Sequence, residues 1–204
     1  MDAAYLVKGV VIGLSIAAPV GPIGVLCIRR TLAQGKLVGL VSGLGASTAD
    51  AIYGLIAAFG LTTISNFLVG KQCWLQLIGG LFLCYLGIKT LKAKSTYASA
   101  HTQRKSVFGA YLSILFLTLT NPMTILSFIG IFSGVGPLNP QNNGGTAFVL
   151  VLGVFCGSTL WWILLSSFVG LFQQKMTGTS LTIINRISGG IILLFGGFAL
   201  YSMF

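Results

Sequence analysis

Six long apolar runs, separated by short polar or basic connections, organise this chain. They lie near 5 to 28, 37 to 62, 72 to 91, 107 to 132, 144 to 172 and 182 to 203. Each is about as long as the roughly 20 residues an α-helix needs to cross a bilayer. The pattern predicts an all-α integral membrane protein with six transmembrane helices. No segment outside the runs is large enough to hold a separate core.

The runs also repeat. Gly9 and Pro22 in the first recur as Gly109 and Pro122 in the fourth, an offset of 100. Further along the offset becomes 110: Gly43 with Gly153, Gly60-Leu61 with Gly170-Leu171, Gly79-Gly80 with Gly189-Gly190, and Gly87 with Gly197. One change of offset, absorbed in the Gly/Pro/Asn-rich connection after the fourth run, accounts for every match. Three spans repeated must enter the membrane the opposite way the second time, as in many secondary transporters. The expected organisation is one membrane domain over 1–204, built of two inverted three-helix repeats at about 1–94 and about 105–204, with helices 1 and 4 broken.

Composition closes off other classes. Hydrophobic residues make up 55% of the chain, charged residues 7%, and mean hydropathy is +0.95, far from the roughly one-quarter charged content of soluble domains. The formal charge of +10 sets 12 Lys and Arg against two acids, Asp2 and Asp50. In a soluble protein that imbalance would suggest nucleic acid; here basic loops explain it, and no nucleic-acid partner is expected. Ten of the 12 basic residues fall in or beside the odd-numbered connections, with only Lys8 and Lys71 on the other side. The positive-inside rule then makes those connections cytoplasmic and puts both termini outside.

Little else in the sequence carries chemistry. Cys27, Cys73, Cys84 and Cys156 show no CxxC spacing and read as small core residues rather than a disulfide framework or zinc site. His101 lies in the most polar segment and reads as solvated. The first run with Lys8 superficially resembles a secretory signal, but it is too long, and Ala17-Ala18 lead straight into Pro19, so no cleavage is expected. There is no P-loop to use ATP. The spans hold one carboxylate, no His and no nucleophile paired with a base, so neither an enzyme nor a cofactor is expected.

The helix breaks are where a site can form. In Ala18-Pro19-Val20-Gly21-Pro22 the two prolines cannot donate to the carbonyls of Ser15 and Ala18, and Gly21 permits a turn that other residues resist. In the fourth run Asn121 reads as an N-cap and Pro122 as the first residue of a new helix, freeing the carbonyl of Thr118. Backbone left uncovered in hydrocarbon must be buried in protein or line a watery cavity. Two repeat-related breaks near mid-span therefore predict a midplane cavity. Its helix N-termini suit a carboxylate and its freed carbonyls suit an ammonium group, the two ends of an amino acid.

Asp50 is the only acid within a span, and a charge at that depth is expensive unless it faces the bundle interior. Gly35, Gly39, Gly43 and Ser47 form a small-residue seam, and Asp50 and Gly54 extend roughly the same face. The expected role of Asp50 is to bind the coupling proton or the substrate's ammonium group. Ser158 and Thr159 in the fifth span are candidate hydroxyls for the cavity, though such residues often bond their own helix backbone. Of Trp161 and Trp162, both deeper than an interfacial belt, one is expected to line the cavity. Trp74 reads as an interfacial anchor, and Gln76 and Arg186 as solvated edge residues.

Together, the Gly-Pro element of the first span, the glycine-spaced second span ending in Gly60-Leu61, and Asn121-Pro122 make the chain resemble the lysine exporter/homoserine-threonine resistance (LysE/RhtB-type) family. The resemblance covers nearly the whole chain. It implies export of an amino acid or related small solute across the bacterial cytoplasmic (inner) membrane, driven by proton motive force or membrane potential. It also marks Pro19, Gly21, Pro22, Asp50, Asn121 and Pro122 as cavity residues. Many members have Pro-Gly-Pro followed by Asn, whereas here Val20 separates Pro19 from Gly21 and Ile23 follows Pro22, so a side-chain amide is absent. Two alternatives stay open from the residues: a heavy-metal cation exporter of the same fold using thiols, and a passive channel. The glycine seams serve a homodimer or packing within one chain equally well.

Overall fold

The computed structural model describes residues 2–19, 21–58, 70–93, 107–135, 144–173 and 176–202. Across these it is helical: α1 (Asp2–Ala17), α2 (Pro22–Gln34), α3 (Lys36–Ala58), α4 (Gln72–Leu91), α5 (Val107–Leu119), α6 (Pro122–Val135), α7 (Gly144–Gln173) and α8 (Gly178–Tyr201). Four helices, α3, α4, α7 and α8, are each long and apolar enough to cross a membrane, and α1 with α2 forms one further bent pair. The run from 107 to 132 is divided between α5 and α6, and the 13 residues of α5 are too few to cross alone. Gly60-Leu61, Lys94, His101, Arg104, Lys105 and Lys175 lie outside the described residues.

Proline chemistry sets both interruptions. The Ala18 N–H still reaches the carbonyl of Leu14 at 2.9 Å, but Pro19 has no N–H to continue the ladder, and the Gly21 N–H turns back to the carbonyl of Pro19 at 2.9 Å. Pro22 then opens α2 at its first helical position, and the two axes diverge by 82°. In the second interruption Asn121 caps α6 as the sequence predicts, its Oδ1 accepting the Met123 N–H at 3.1 Å. Between α2 and α3 a single residue makes the turn: Gly35, with φ +101° and ψ 160°, a conformation essentially reserved for glycine.

Close approach of backbones holds the bundle. Gly9 and Gly13 of α1 lie against Gly153 and Gly157 of α7, so near that a Cβ on Gly13 would sit 2.2 Å from the carbonyl oxygen of Val154. Residue numbers rise together along this contact, so α1 and α7 run parallel. Along α3 and α7 they run in opposite senses: Gly39 meets Ser166, Gly43 meets Trp162, and Ser47 meets Ser158. On the outer flank, Gly80 and Gly87 of α4 pack antiparallel on Gly196 and Gly189 of α8. Small residues provide cohesion here because lipid offers no hydrophobic drive between helices. An apolar cluster that includes Leu26, Cys27, Ile114, Leu117, Trp162 and Ile192 fills one half of the bundle. A second, built around Ile12, Tyr53, Ile125, Phe128, Leu150 and Val154, ties α1, α3, α6 and α7 together in the other.

Candidate functional site

A cavity of about 430 Å³ opens between α2, α4, α8 and the α5–α6 break, within the range of small-molecule sites. Its lining begins at Ile16 and Ala17, takes in Pro19, Gly21 and Pro22 at the first break, and includes Thr118, Thr120 and Asn121 at the second. The breaks thus meet at one space. Asp50 is also on its wall, although only 3% of that residue is exposed. Much of the remaining wall is apolar, with Leu83, Leu117, Trp162, Phe195 and Phe198.

Asp50 is held from the α7 side. Ser158 donates from Oγ to Asp50 Oδ2 at 2.7 Å, and Ser47 lies 3.1 Å from the Ser158 oxygen. The three form a hydroxyl–hydroxyl–carboxylate chain across the α3–α7 seam, so the face carrying the small residues also carries the acid. Ser158 is fully buried behind Asp50 and is not part of the cavity wall. Thr159 is not on the wall either, and its buried hydroxyl has no hydrogen-bond partner. Pro122 opens α6, while its side chain lies outside the described residues.

Several local details differ from the sequence expectations. Gly21 has φ −96° and ψ −166°, ordinary extended backbone, and a Cβ there would meet nothing within 4 Å. Its missing side chain leaves room at the mouth of α2 rather than permitting a forbidden turn. The carbonyl of Thr118 is not left free, because the Asn121 N–H reaches it at 3.2 Å. The cap explains the shift: once Asn121 Oδ1 takes the Met123 N–H, the carbonyl of Leu119 loses its helical partner, and Tyr53 supplies one from its hydroxyl at 2.5 Å. Tyr53 was not a sequence candidate, although its place one turn beyond Asp50 put it on the inward face. Gln76 is no mere edge residue, since it lines the cavity and donates to the carbonyl of Ala199 at 2.9 Å.

Tyr53→Phe should therefore destabilise the fold by about 1–3 kcal/mol, the cost of a buried acceptor left unmatched. Thermal unfolding of the detergent-purified variant measures this. An unchanged midpoint would mean that Leu119 finds another donor.

The N-terminus of α2 has no side-chain cap, whereas that of α6 is capped by Asn121. Gly21, Pro22, Ile23 and Gly24 all line the cavity, so the positive end of the α2 dipole and the Asp50 carboxyl share one compartment. Trp162 is also on the cavity wall, and its buried Nε1 has no hydrogen-bond partner.

An apolar bundle with a proline-broken helix and a polar-tipped cavity fits a multi-pass membrane transporter. The chain belongs to the LysE type translocator family, whose model matches residues 14–203. It is a transporter and not an enzyme. It is 30% identical to "Putative amino acid efflux protein YcgF" of Bacillus subtilis (strain 168) over 192 residues, 92% of this chain and 90% of that one. It is 29% identical over 183 residues to "Leucine efflux protein" of Salmonella typhimurium, covering 88% of this chain and 85% of the relative. "Uncharacterized membrane protein YahN" of Escherichia coli is 27% identical over 172 residues, 82% of this chain and 76% of the relative. No solved structure matches the chain.

Proposed function

We propose that the chain is a secondary-active exporter of a neutral, apolar amino acid such as leucine, working across the bacterial inner membrane by exchange with protons. The observation that carries this reading is the shared cavity: an uncapped helix N-terminus for a carboxylate, Asp50 for an ammonium group or a proton, and an apolar wall for the side chain. Relatives named for leucine and amino-acid efflux support the substrate class. Among the described residues no cysteine lines the cavity, which favours this cargo over a thiol-seeking metal.

In this reading six spans form two inverted repeats, with α1–α2 matched to α5–α6, α3 to α7 and α4 to α8. The helix directions support it. α1 runs parallel to α7, and the matched pair α5 and α3 is also parallel, Gly45 lying on Tyr111 and Tyr53 on Leu119. Orientation follows from charge. Arg29, Arg30, Lys36, Lys89, Lys92 and Arg186 collect at the end of the bundle away from the cavity, and Lys8 and Lys71 at the other. The closed end is then cytoplasmic, both termini are outside, and the conformation faces outward.

Proteoliposomes containing the purified chain test this. Labelled leucine should move uphill when a pH gradient is imposed and stop moving uphill when a protonophore removes it. Flux that only runs downhill would make the chain a passive channel. No flux of leucine or any other common amino acid would refute the exporter reading.

A further inference from the structure

The closed end holds two arginines that, among the described residues, meet no acidic side chain. Arg30 is only 8% exposed, and its guanidinium donates to Ser42 Oγ at 3.0 Å, the Ala110 carbonyl at 2.8 Å and Ser113 Oγ at 2.7 Å. Its half-buried neighbour Arg29 donates from Nε to Asn185 Oδ1 at 2.8 Å, and the Asn185 amide reaches on to the carbonyl of Ala93 at 3.3 Å. The pair thus ties α2 to α3, α5 and α8, and through Asn185 to the end of α4. Every acceptor is neutral.

Among the described residues no acidic side chain meets either guanidinium. The chain has two acids, Asp2 and Asp50. Asp50 is engaged by Ser158 and lies eight residues beyond Ser42 on α3, about 12 Å along the helix axis. Asp2 begins α1, on the far side of the proline break from α2. Two adjacent cations, one almost wholly out of water, are therefore held by dipoles alone, an arrangement that any carboxylate or phosphate reaching them would improve.

Between this pair and the cavity lies the apolar plug that includes Leu26, Cys27, Ile114, Leu117 and Ile192. Leu26 and Cys27 belong to α2, just before the arginines, so a movement that frees the guanidiniums also unseats the plug.

We propose that Arg29 and Arg30 are the carboxylate-binding site of the closed end. Ser42, Ser113, Asn185 and the Ala110 carbonyl are place-holders that keep α2 latched, and the carboxylate of an arriving amino acid displaces them and opens the plug. A ligand shifts a conformational balance only by binding one state better than the other. Here the differential is built in, because the latched guanidiniums are already occupied and the released ones are not. The site deepens the exporter reading, resting on it for the identity of the ligand, and gives the substrate a first contact distinct from the Asp50 cavity.

Cys27 is a native reporter, since it is fully buried in the plug. In the full chain with Cys73, Cys84 and Cys156 replaced by Ala, purified in detergent so that membrane orientation plays no part, a water-soluble maleimide should label Cys27 slowly. Arg30→Gln should speed labelling by about tenfold or more, an ordinary size for such coupling. Ser113→Ala and Asn185→Ala, which remove place-holders and leave both charges, should act in the same direction. Free amino acids, leucine first, should accelerate labelling of the parent, and their amides, which lack the carboxylate, should not.

Parent-like labelling in both Arg30→Gln and Asn185→Ala overturns the latch. Equal effects of acids and amides, or none from any free acid, overturn the carboxylate site. Acceleration by phosphatidylglycerol micelles and not by amino acids would assign the pair to lipid phosphate instead, and overturns it too. The failures separate. Absence of amino-acid exchange in proteoliposomes refutes the exporter reading, whereas exchange by the parent with no acid-specific labelling refutes the arginine site alone.

Discussion

Asp50→Asn should insert and fold like the parent chain and yet lose uphill leucine movement in proteoliposomes. The amide keeps the size of the side chain and can still accept the Ser158 hydroxyl through Oδ1, so the α3–α7 seam is preserved. What disappears is the ability to carry a negative charge or to take up and release a proton. Removing the charge that would face a substrate ammonium is expected to cost about 2–5 kcal/mol, the range for losing one member of a buried charge pair, which corresponds to a fall in exchange rate of roughly thirtyfold to several thousandfold. If Asp50 carries the coupling proton, the residual flux should also stop responding to an imposed pH gradient. Ser158→Ala should weaken transport less, because the carboxyl remains. Gradient-driven efflux at the parent rate in a properly inserted Asp50→Asn protein would remove the residue from the mechanism.

What the sequence made legible was whatever a single residue type enforces on its own. Pro19 has no N–H to continue a helix and Pro22 is suited to open one, and the structure ends α1 at Ala17 and begins α2 at Pro22. A lone acid in an apolar span must face inward, and Asp50 does, on the same wall as Pro19, Gly21, Pro22 and Asn121. Competition between groups was not legible. Which carbonyl the second break exposes depended on Asn121 capturing the Met123 N–H, and that moved the unmet acceptor from Thr118 to Leu119 and brought Tyr53 into the site.

The arginines show the same limit in another form. By sequence Arg29 and Arg30 read as charges of the first connection. The α2 helix, however, extends to Gln34, nearly two turns past the predicted end of the first run, so both sit on a helix and can reach Asn185, Ser42 and Ser113. Composition gives the sign of a residue's charge but not the oxygens that a longer helix brings within its reach.

Glycine spacing gives the sequence its offset matches without saying which glycines are needed, and this leads to opposite outcomes for one substitution. Gly13→Ala should be strongly disruptive. Its Cβ would lie 2.2 Å from the Val154 carbonyl oxygen and 2.9 Å from the Ser158 nitrogen, both backbone atoms of α7 that no rotamer change can move aside. The helices must separate, and overpacking of this kind costs about 1–3 kcal/mol, against a gain of about 1 kcal/mol from alanine's better helix propensity. Gly190→Ala meets nothing within 4 Å, so only the propensity gain applies and stability should rise slightly. Yet Gly190 stands 110 residues after Gly80 in a matching Gly-Gly pair, and a Cβ on Gly80 would press on Leu200 at 2.9 Å. Thermal unfolding of the purified variants should order them Gly190→Ala, parent, Gly13→Ala, from most to least stable. Because Gly13 abuts the residue that holds Asp50, its alanine variant should also slow leucine exchange in protein that remains folded. A Gly13→Ala chain as stable and as active as the parent would mean that α1 and α7 do not need their backbone contact, and that the seam fixing Ser158 behind the carboxyl is not what positions it.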